Sequence, residues 1–90
     1  MTDKIIDAAA AQGLQAYAVR TYRLSGWIVM QDQPGYPGKI IARLSAGTPT
    51  PYVLLADTLA ELQAQLPAGL VRSDRQLADP PGVLEIWFPA

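Results

Sequence analysis

Two short apolar segments on either side of a proline–glycine loop constrain this chain more than any other feature. The segments are WIVMQ, residues 27–31, and KIIARLS, residues 39–45, and the loop between them reads DQPGYPG. Each segment predicts a β-strand, while proline and glycine favour a loop with few backbone hydrogen bonds. The pattern therefore predicts a long hairpin whose loop is stiffened by proline.

Ahead of this hairpin, the sequence predicts a helix and a further strand. Thr2 or Asp3 can cap the helix, and Gly13 is a natural end for it. Its apolar stripe consists of Ile5, Ile6, Ala9 and Ala10. Residues 17–22 then alternate with period two, which predicts a strand paired with residues 27–31 across a turn at residues 24–26.

The second half of the chain contains the clearest helix signal, DTLAELQAQLP. Thr58 lies three residues before Glu61, which is the spacing of a capping box, and Pro67 ends the helix. Its apolar stripe is Leu59, Leu62 and Leu66, and Gln63 and Gln65 are expected to face away from it. Strands are predicted at residues 52–56 and 83–88, with a possible edge strand at Leu70 and Val71.

These elements predict a small α+β fold in a single domain over residues 1–90, with the order α-β-β-β-(β)-α-β. Short turns favour a mainly antiparallel sheet of three to five strands, with both helices packed on one face. By alternation, one face presents Leu84, Ile86 and Phe88 together with Ile40, Ala42 and Leu44 to the helices. The opposite, open face is then expected to show Val83, Glu85 and Trp87 with Ile41 and Arg43.

Composition argues against several classes of function. The chain has no cysteine and no histidine, so it lacks a thiolate and the side chain that most often performs acid–base catalysis or binds metals. Its net charge of −1 gives no general attraction to nucleic acid or anionic lipid. Its three serines are not in a nucleophile elbow. We therefore expect a non-enzyme without cofactor or metal.

The amino-terminal residues do not resemble a targeting signal. Asp3 and Asp7 interrupt the apolar stretch that a signal peptide requires. No segment approaches the roughly 18 apolar residues of a transmembrane helix. The expected location is the cytoplasm, without a membrane partner. The stretch DTLAELQAQLPAGL followed by VLEIWF resembles segments of small bacterial proteins, and this resemblance implies no function.

The proline–glycine loop superficially suggests a phosphate-binding loop, because Gly38 precedes Lys39. That motif requires glycine at position 33 and a hydroxyl after the lysine, where this chain has Gln33 and Ile40. Two prolines also remove backbone amides that would bind phosphate. The loop is therefore expected to be structural, or to form an exposed lip with Tyr36 as an aromatic contact.

The charged residues offer weaker signals. Glu85 lies in an otherwise apolar strand, where we expect an outward-facing edge position paired with an arginine of a neighbouring strand. The other acidic side chains have capping or turn roles. Arg20, Arg23 and Arg43 fall on predicted strands with aromatic residues nearby, an arrangement that some single-strand nucleic-acid binders use for base stacking.

We therefore favour a non-catalytic protein–protein interaction domain, a homodimer or an accessory subunit, that uses the open face around Arg43, Glu85 and Trp87. The alternative is a small-molecule or single-stranded nucleic-acid binding module that uses Tyr36, Arg20 and Arg43. An enzyme that uses carboxylates alone ranks last.

Overall fold

A computed structural model describes residues 3–21, 25–74 and 82–89. Within these ranges the protein forms a six-stranded mixed sheet with two helices. The elements are β1 (Lys4–Ile5), α1 (Ala8–Thr21), β2 (Ser25–Gln31), β3 (Ile40–Ala46), β4 (Pro49–Ala56), α2 (Leu59–Gln65), β5 (Leu70–Asp74) and β6 (Val83–Pro89).

The strand order is β1-β4-β3-β2-β6-β5, with β1 parallel to β4 and the other neighbours antiparallel. The α+β class is confirmed. The expectation of three to five strands in a mainly antiparallel sheet was only roughly right, because β1 adds a parallel edge and β5 is a full strand.

The amino-terminal third differs most from the sequence prediction. Asp7, rather than Asp3, caps α1: its Oδ1 accepts a hydrogen bond of 2.8 Å from the backbone N–H of Ala10. The helix continues through Gly13 to Thr21, so the strand predicted at residues 17–22 is wrong. Thr2, Tyr22, Arg23, Leu24 and Asp79 lie outside the described residues.

Packing explains why this segment is helical despite its alternation. Ala11, Gln15 and Ala18 are buried and follow the i, i+4, i+7 spacing of one helix face. The alternating residues Tyr17 and Val19 are about half exposed, at 53% and 52%. A glycine inside a helix costs about 1 kcal/mol relative to alanine, which the burial of this stripe can offset.

The predicted hairpin and the second helix are confirmed. β2 pairs with β3 from Ser25 opposite Ala46 to Gln31 opposite Ile40. Thr58 caps α2, since its hydroxyl accepts from the backbone N–H of Glu61 at 3.2 Å. β4 begins at Pro49, three residues earlier than predicted.

Both helices cover the same face of the sheet, as expected. The core between them contains Leu62 of α2, Ala11 of α1, and Trp27, Val29, Ala42, Leu44 and Leu54 of the sheet. All are at most 3% exposed. Deletion of one such side chain would therefore leave a cavity with few means of collapse.

The predicted orientation of the last strand was wrong. The β2–β6 register places Trp87 opposite Trp27 and Glu85 opposite Val29, so both side chains lie on the helix-covered face. Phe88, expected in the core, is 44% exposed. Alternation determines which residues of a strand share a face, but not which face the helices cover. A register shift between Val29 and Met30 also interrupts the regular pairing of β2 with β6.

Candidate functional site

The face of the sheet opposite the helices carries three of the large apolar side chains that are exposed to solvent. Among the described residues no helix packs on it, and we call it the open face. Ile5 of β1, Val71 of β5 and Phe88 of β6 project from it and are 59%, 54% and 44% exposed. Between these edges lie the half-buried Ile28 and Ile86, which are cross-strand partners. The open face therefore carries apolar side chains at both edges and along the β2–β6 pair between them.

A shallow apolar groove of about 250 Å³ lies on the open face at one end of β2, β3 and β6. Ile28, Ile86 and Phe88 line it, with Gly26 at its base. A Cβ atom on Gly26 would come within 3.2 Å of the Phe88 ring. The glycine thus allows the ring to lie close to the backbone of β2, and Phe88 is still 44% exposed there.

A polar cluster occupies another part of the open face, where Asp3, Tyr36 and Arg43 meet. Arg43 donates hydrogen bonds to both carboxylate oxygens of Asp3, at 2.7 and 2.9 Å. The Tyr36 hydroxyl donates to Oδ2 of the same carboxylate at 2.9 Å. Arg43 also donates to the carbonyl of Thr50 at 2.9 Å. This bidentate arrangement fixes the guanidinium and leaves it few free donors.

The electrostatics of the cluster reflect its hydrogen bonds. The bonds from Arg43 and Tyr36 lower the pKa of Asp3 from 3.8 to about 2. The bond to Asp3 raises the pKa of Arg43. Burial, and then the hydrogen bond to Asp3, raise the pKa of the Tyr36 hydroxyl. At neutral pH the cluster therefore holds one negative and one positive charge, and its net charge is zero.

The proline–glycine loop makes contacts that the sequence did not indicate. Tyr36 is half-buried against Asp3 instead of forming an exposed lip. Two turns shape the loop: Tyr36 N–H donates to the Gln33 carbonyl, and Lys39 N–H donates to the Tyr36 carbonyl. The loop thus connects the hairpin to the segment before β1, and a strand follows Lys39 where a phosphate-binding loop would need a helix.

Glu85 and Trp87 form a separate cluster on the helix-covered face. Glu85 is 4% exposed, and its Oε1 accepts from Gln63 of α2 and from the Trp87 indole, both at 2.8 Å. Arg72 of β5 lies 3.7 Å from Oε2. The predicted pairing with an arginine of a neighbouring strand is therefore confirmed, whereas the outward-facing edge position is wrong.

The glutamines of α2 also differ from expectation. Gln63 donates to Glu85, and Gln65 donates to the Leu55 carbonyl at 3.1 Å, so neither faces away from the sheet. These two hydrogen bonds link α2 to β6 and to β4. Sequence periodicity could not reveal these bonds, because the partners are 22 and 10 residues away along the chain.

The remaining predicted site residue, Arg20, lies in the last turn of α1 and is exposed. It is thus on a helix that covers the other face of the sheet, apart from Arg43 and Tyr36. Within the described ranges, no three acidic side chains gather as metal ligands. Neither helix in this part of the chain is long and apolar enough to cross a membrane.

No protein-family model matches the chain, and neither the curated proteins nor the solved structures include a significant match to it.

Proposed function

We propose that this protein is a non-catalytic interaction domain that forms a homodimer by packing its open face against the same face of a second copy. The observation that carries the proposal is the exposure of Ile5, Val71 and Phe88 on a sheet face that no described helix covers. Large apolar patches on small proteins mark interaction surfaces more often than isolated apolar residues do.

The charge distribution favours a second copy as the partner. In a two-fold symmetric dimer, each face meets its own image, so an unpaired charge near the centre would be repelled or buried without a partner. The charged side chains of the Asp3–Arg43 pair neutralise each other within one protomer. The surrounding side chains, such as Ile28 and Ile86, are apolar. The face is therefore compatible with its own copy.

The size of the face sets the expected strength of the dimer. Six strands span roughly 24 Å, and a seven-residue strand spans roughly 23 Å. Because the edge strands are short, the flat area is at most about 550 Å² per protomer. A standard stable interface buries about 800 Å² per partner. We therefore expect a dimer of moderate strength, with a Kd on the order of micromolar.

The test is the solution mass by sedimentation velocity over a concentration range that brackets this Kd. The wild type is expected to change from monomer to dimer. Phe88→Glu and Val71→Glu should each shift the transition to at least roughly tenfold higher concentration, because a carboxylate would be buried in an apolar interface. The matched control is Val19→Glu, which places the same charge at a similarly exposed position on α1.

Three outcomes separate the explanations. A wild type that stays monomeric at all concentrations contradicts the homodimer and directs attention to an accessory-subunit role with a different partner. A dimer that is insensitive to both open-face variants, or equally sensitive to Val19→Glu, places the interface elsewhere. Circular dichroism of each variant checks that the fold is retained.

The alternative of a small-molecule or nucleic-acid binding module receives less support from the geometry. Arg43 and Tyr36 both use their polar groups on Asp3, and Arg20 projects from α1 instead of the sheet. A stacking platform needs cations and aromatic rings on one accessible surface. This function stays a prediction, and retention on heparin that falls with added salt would be its first support.

A further inference from the structure

Phe88, the exposed aromatic side chain of the open face, stands directly beside the groove on that face. Its ring leans over β2, since a Cβ atom on Gly26 would come within 3.2 Å of it. On the other side of β2, Ser45 of β3 and Gly47 just after it border the groove. A projecting ring and an open space therefore lie next to each other, one on each side of β2.

Small residues account for the open space. Ser45 is the cross-strand partner of Gly26 in the β2–β3 register, so neither residue fills this end of the face. The groove has a volume of about 250 Å³, and none of the described residues that line it is charged. An apolar cavity of about 150 Å³ in another protein is large enough to bind benzene. The groove therefore has room for one phenyl ring.

A projecting side chain beside an open space is the arrangement that suits a two-fold interface. In such an interface the same patch serves both partners, so residue i contacts residue j and j contacts i. If the axis lies between the two faces and runs along β2, side chains above β6 of one copy lie over β3 of the other. Each Phe88 ring then reaches the groove of the other copy, next to Ser45. Val71 lies on β5, one strand further out, so the same axis places it over β4 instead.

We propose that Phe88 of each copy inserts into the groove of the other and forms the central contact of the dimer. This inference rests on the proposed homodimer and specifies how its two faces are aligned. The face is smaller than a standard interface of about 800 Å² per partner, so a few well-packed side chains have to supply most of the affinity. Two aromatic rings that bury their exposed parts reciprocally fulfil that requirement.

The first test is an isotope-filtered NOE measurement on an equimolar mixture of two samples of the wild type. One sample has protonated phenylalanine rings on a deuterated background, and the other has ¹³C-labelled isoleucine methyl groups. Phe88 is the only phenylalanine in the chain, so every ring signal belongs to it. We expect NOEs from this ring to the methyl groups of Ile28 and Ile86 in the other copy, because both line the groove. Ile6, which packs against the core on the helix side, is the internal control and should give none.

A substitution that fills the groove tests the same contact through the direction of its effect. Ser45→Leu adds an apolar side chain to the open face, which would strengthen a dimer that depended on apolar area alone. If the groove receives Phe88, the leucine occupies its space, and the Kd of the dimer should rise at least roughly tenfold. The matched control is Ser73→Leu. Ser73 is half-buried like Ser45 and pairs with Ile86 on the same face, but it does not line the groove. This control should leave the Kd unchanged or lower it.

A double-mutant cycle links the ring to the groove. Phe88→Ala should raise the Kd roughly hundredfold, because each dimer loses two rings. In that background Ser45→Leu should no longer weaken the dimer, since no ring competes with the leucine for the groove. The two substitutions are therefore expected to be strongly non-additive. Sedimentation velocity measures each Kd, and circular dichroism checks that each variant keeps its fold.

The possible failures are distinguishable. A wild type that dimerises without NOEs from the Phe88 ring to Ile28 or Ile86 of the other copy overturns this inference and leaves the homodimer intact. The same conclusion follows if Ser45→Leu dimerises as tightly as the wild type or more tightly. A wild type that is monomeric at every concentration overturns both the homodimer and this inference.

Discussion

Replacement of Glu85 by alanine is the sharpest test of how the sheet is oriented. In the structure this carboxylate is buried on the helix-covered face and accepts from Gln63 and Trp87, both at 2.8 Å. Glu85→Ala would remove the acceptor from both donors at once. If the side chain instead faced outward at an edge, as its place in the sequence suggests, the substitution would be nearly neutral.

The magnitude follows from the two lost bonds. A hydrogen bond to a charged group contributes about 1.5–3 kcal/mol, which would give about 3–6 kcal/mol for two independent bonds. Gln63 and Trp87 are only partly buried, so both donors can regain some contact with water. We therefore expect a loss of about 2–3 kcal/mol in the free energy of unfolding, or roughly 10–20 °C in Tm for a domain of this size.

The measurement is urea unfolding followed by circular dichroism, with two matched variants. Glu85→Gln keeps an oxygen acceptor and loses the charge, so it should cost about 1 kcal/mol. Arg72→Ala removes a half-exposed cation whose distance to Glu85 is 3.7 Å, and it should cost less than Glu85→Ala, because exposed ion pairs contribute little to stability. A loss below about 0.5 kcal/mol for Glu85→Ala would refute the buried, hydrogen-bonded placement of this residue.

Three further predictions concern the pH dependence and the backbone. Because the pKa of Asp3 is lowered from 3.8 to about 2, its stabilising effect is present above about pH 4 and is lost as the pH falls toward 2. The difference in unfolding free energy between wild type and Asp3→Asn should therefore shrink from pH 5 to pH 2 in urea titrations, and a constant difference would contradict the pairing with Arg43. Gly13→Ala should stabilise the protein by about 0.5–1 kcal/mol, since Gly13 lies inside α1 and an added Cβ meets nothing within 4 Å. Gly82→Ala should destabilise the protein by about 1–3 kcal/mol, because φ at Gly82 is +93° and a Cβ would lie 3.0 Å from the Gln31 carbonyl oxygen. The measurement is thermal unfolding of both glycine variants, and a higher Tm for Gly82→Ala than for Gly13→Ala would refute this reasoning.

Sequence patterns predicted the elements of the fold that depend on interactions between neighbouring residues. The capping pair Thr58 and Glu61, the stop at Pro67, and the hairpin on either side of the proline–glycine loop all depend on residues within a few positions of each other. The α+β class follows from these elements together. The first third failed because its alternating residues 17–22 resemble a strand, while burial of Ala11, Gln15 and Ala18 against the sheet favours a helix.

The candidate sites were less accessible to sequence reasoning. Arg43 and Tyr36 were singled out, but their shared partner Asp3 is 40 and 33 residues away and was assigned to a helix cap. The open face was expected around Arg43, Glu85 and Trp87, and of these only Arg43 lies there. The residues that make it apolar, Phe88 and Ile86, had been placed in the core.

The amino-acid sequence by itself determined the α+β class, most strand positions, the second helix and the absence of cysteine and histidine chemistry. Each of these depends on composition or on short-range backbone and side-chain preferences. Only the tertiary structure decided which face of the sheet the helices cover. The two faces of β6 are both largely apolar, so alternation alone cannot show which of them the helices cover. The pairing of Trp87 with Trp27 places Trp87 on the helix-covered face. The same pairing leaves Phe88 exposed on the open face and buries Glu85 beneath α2.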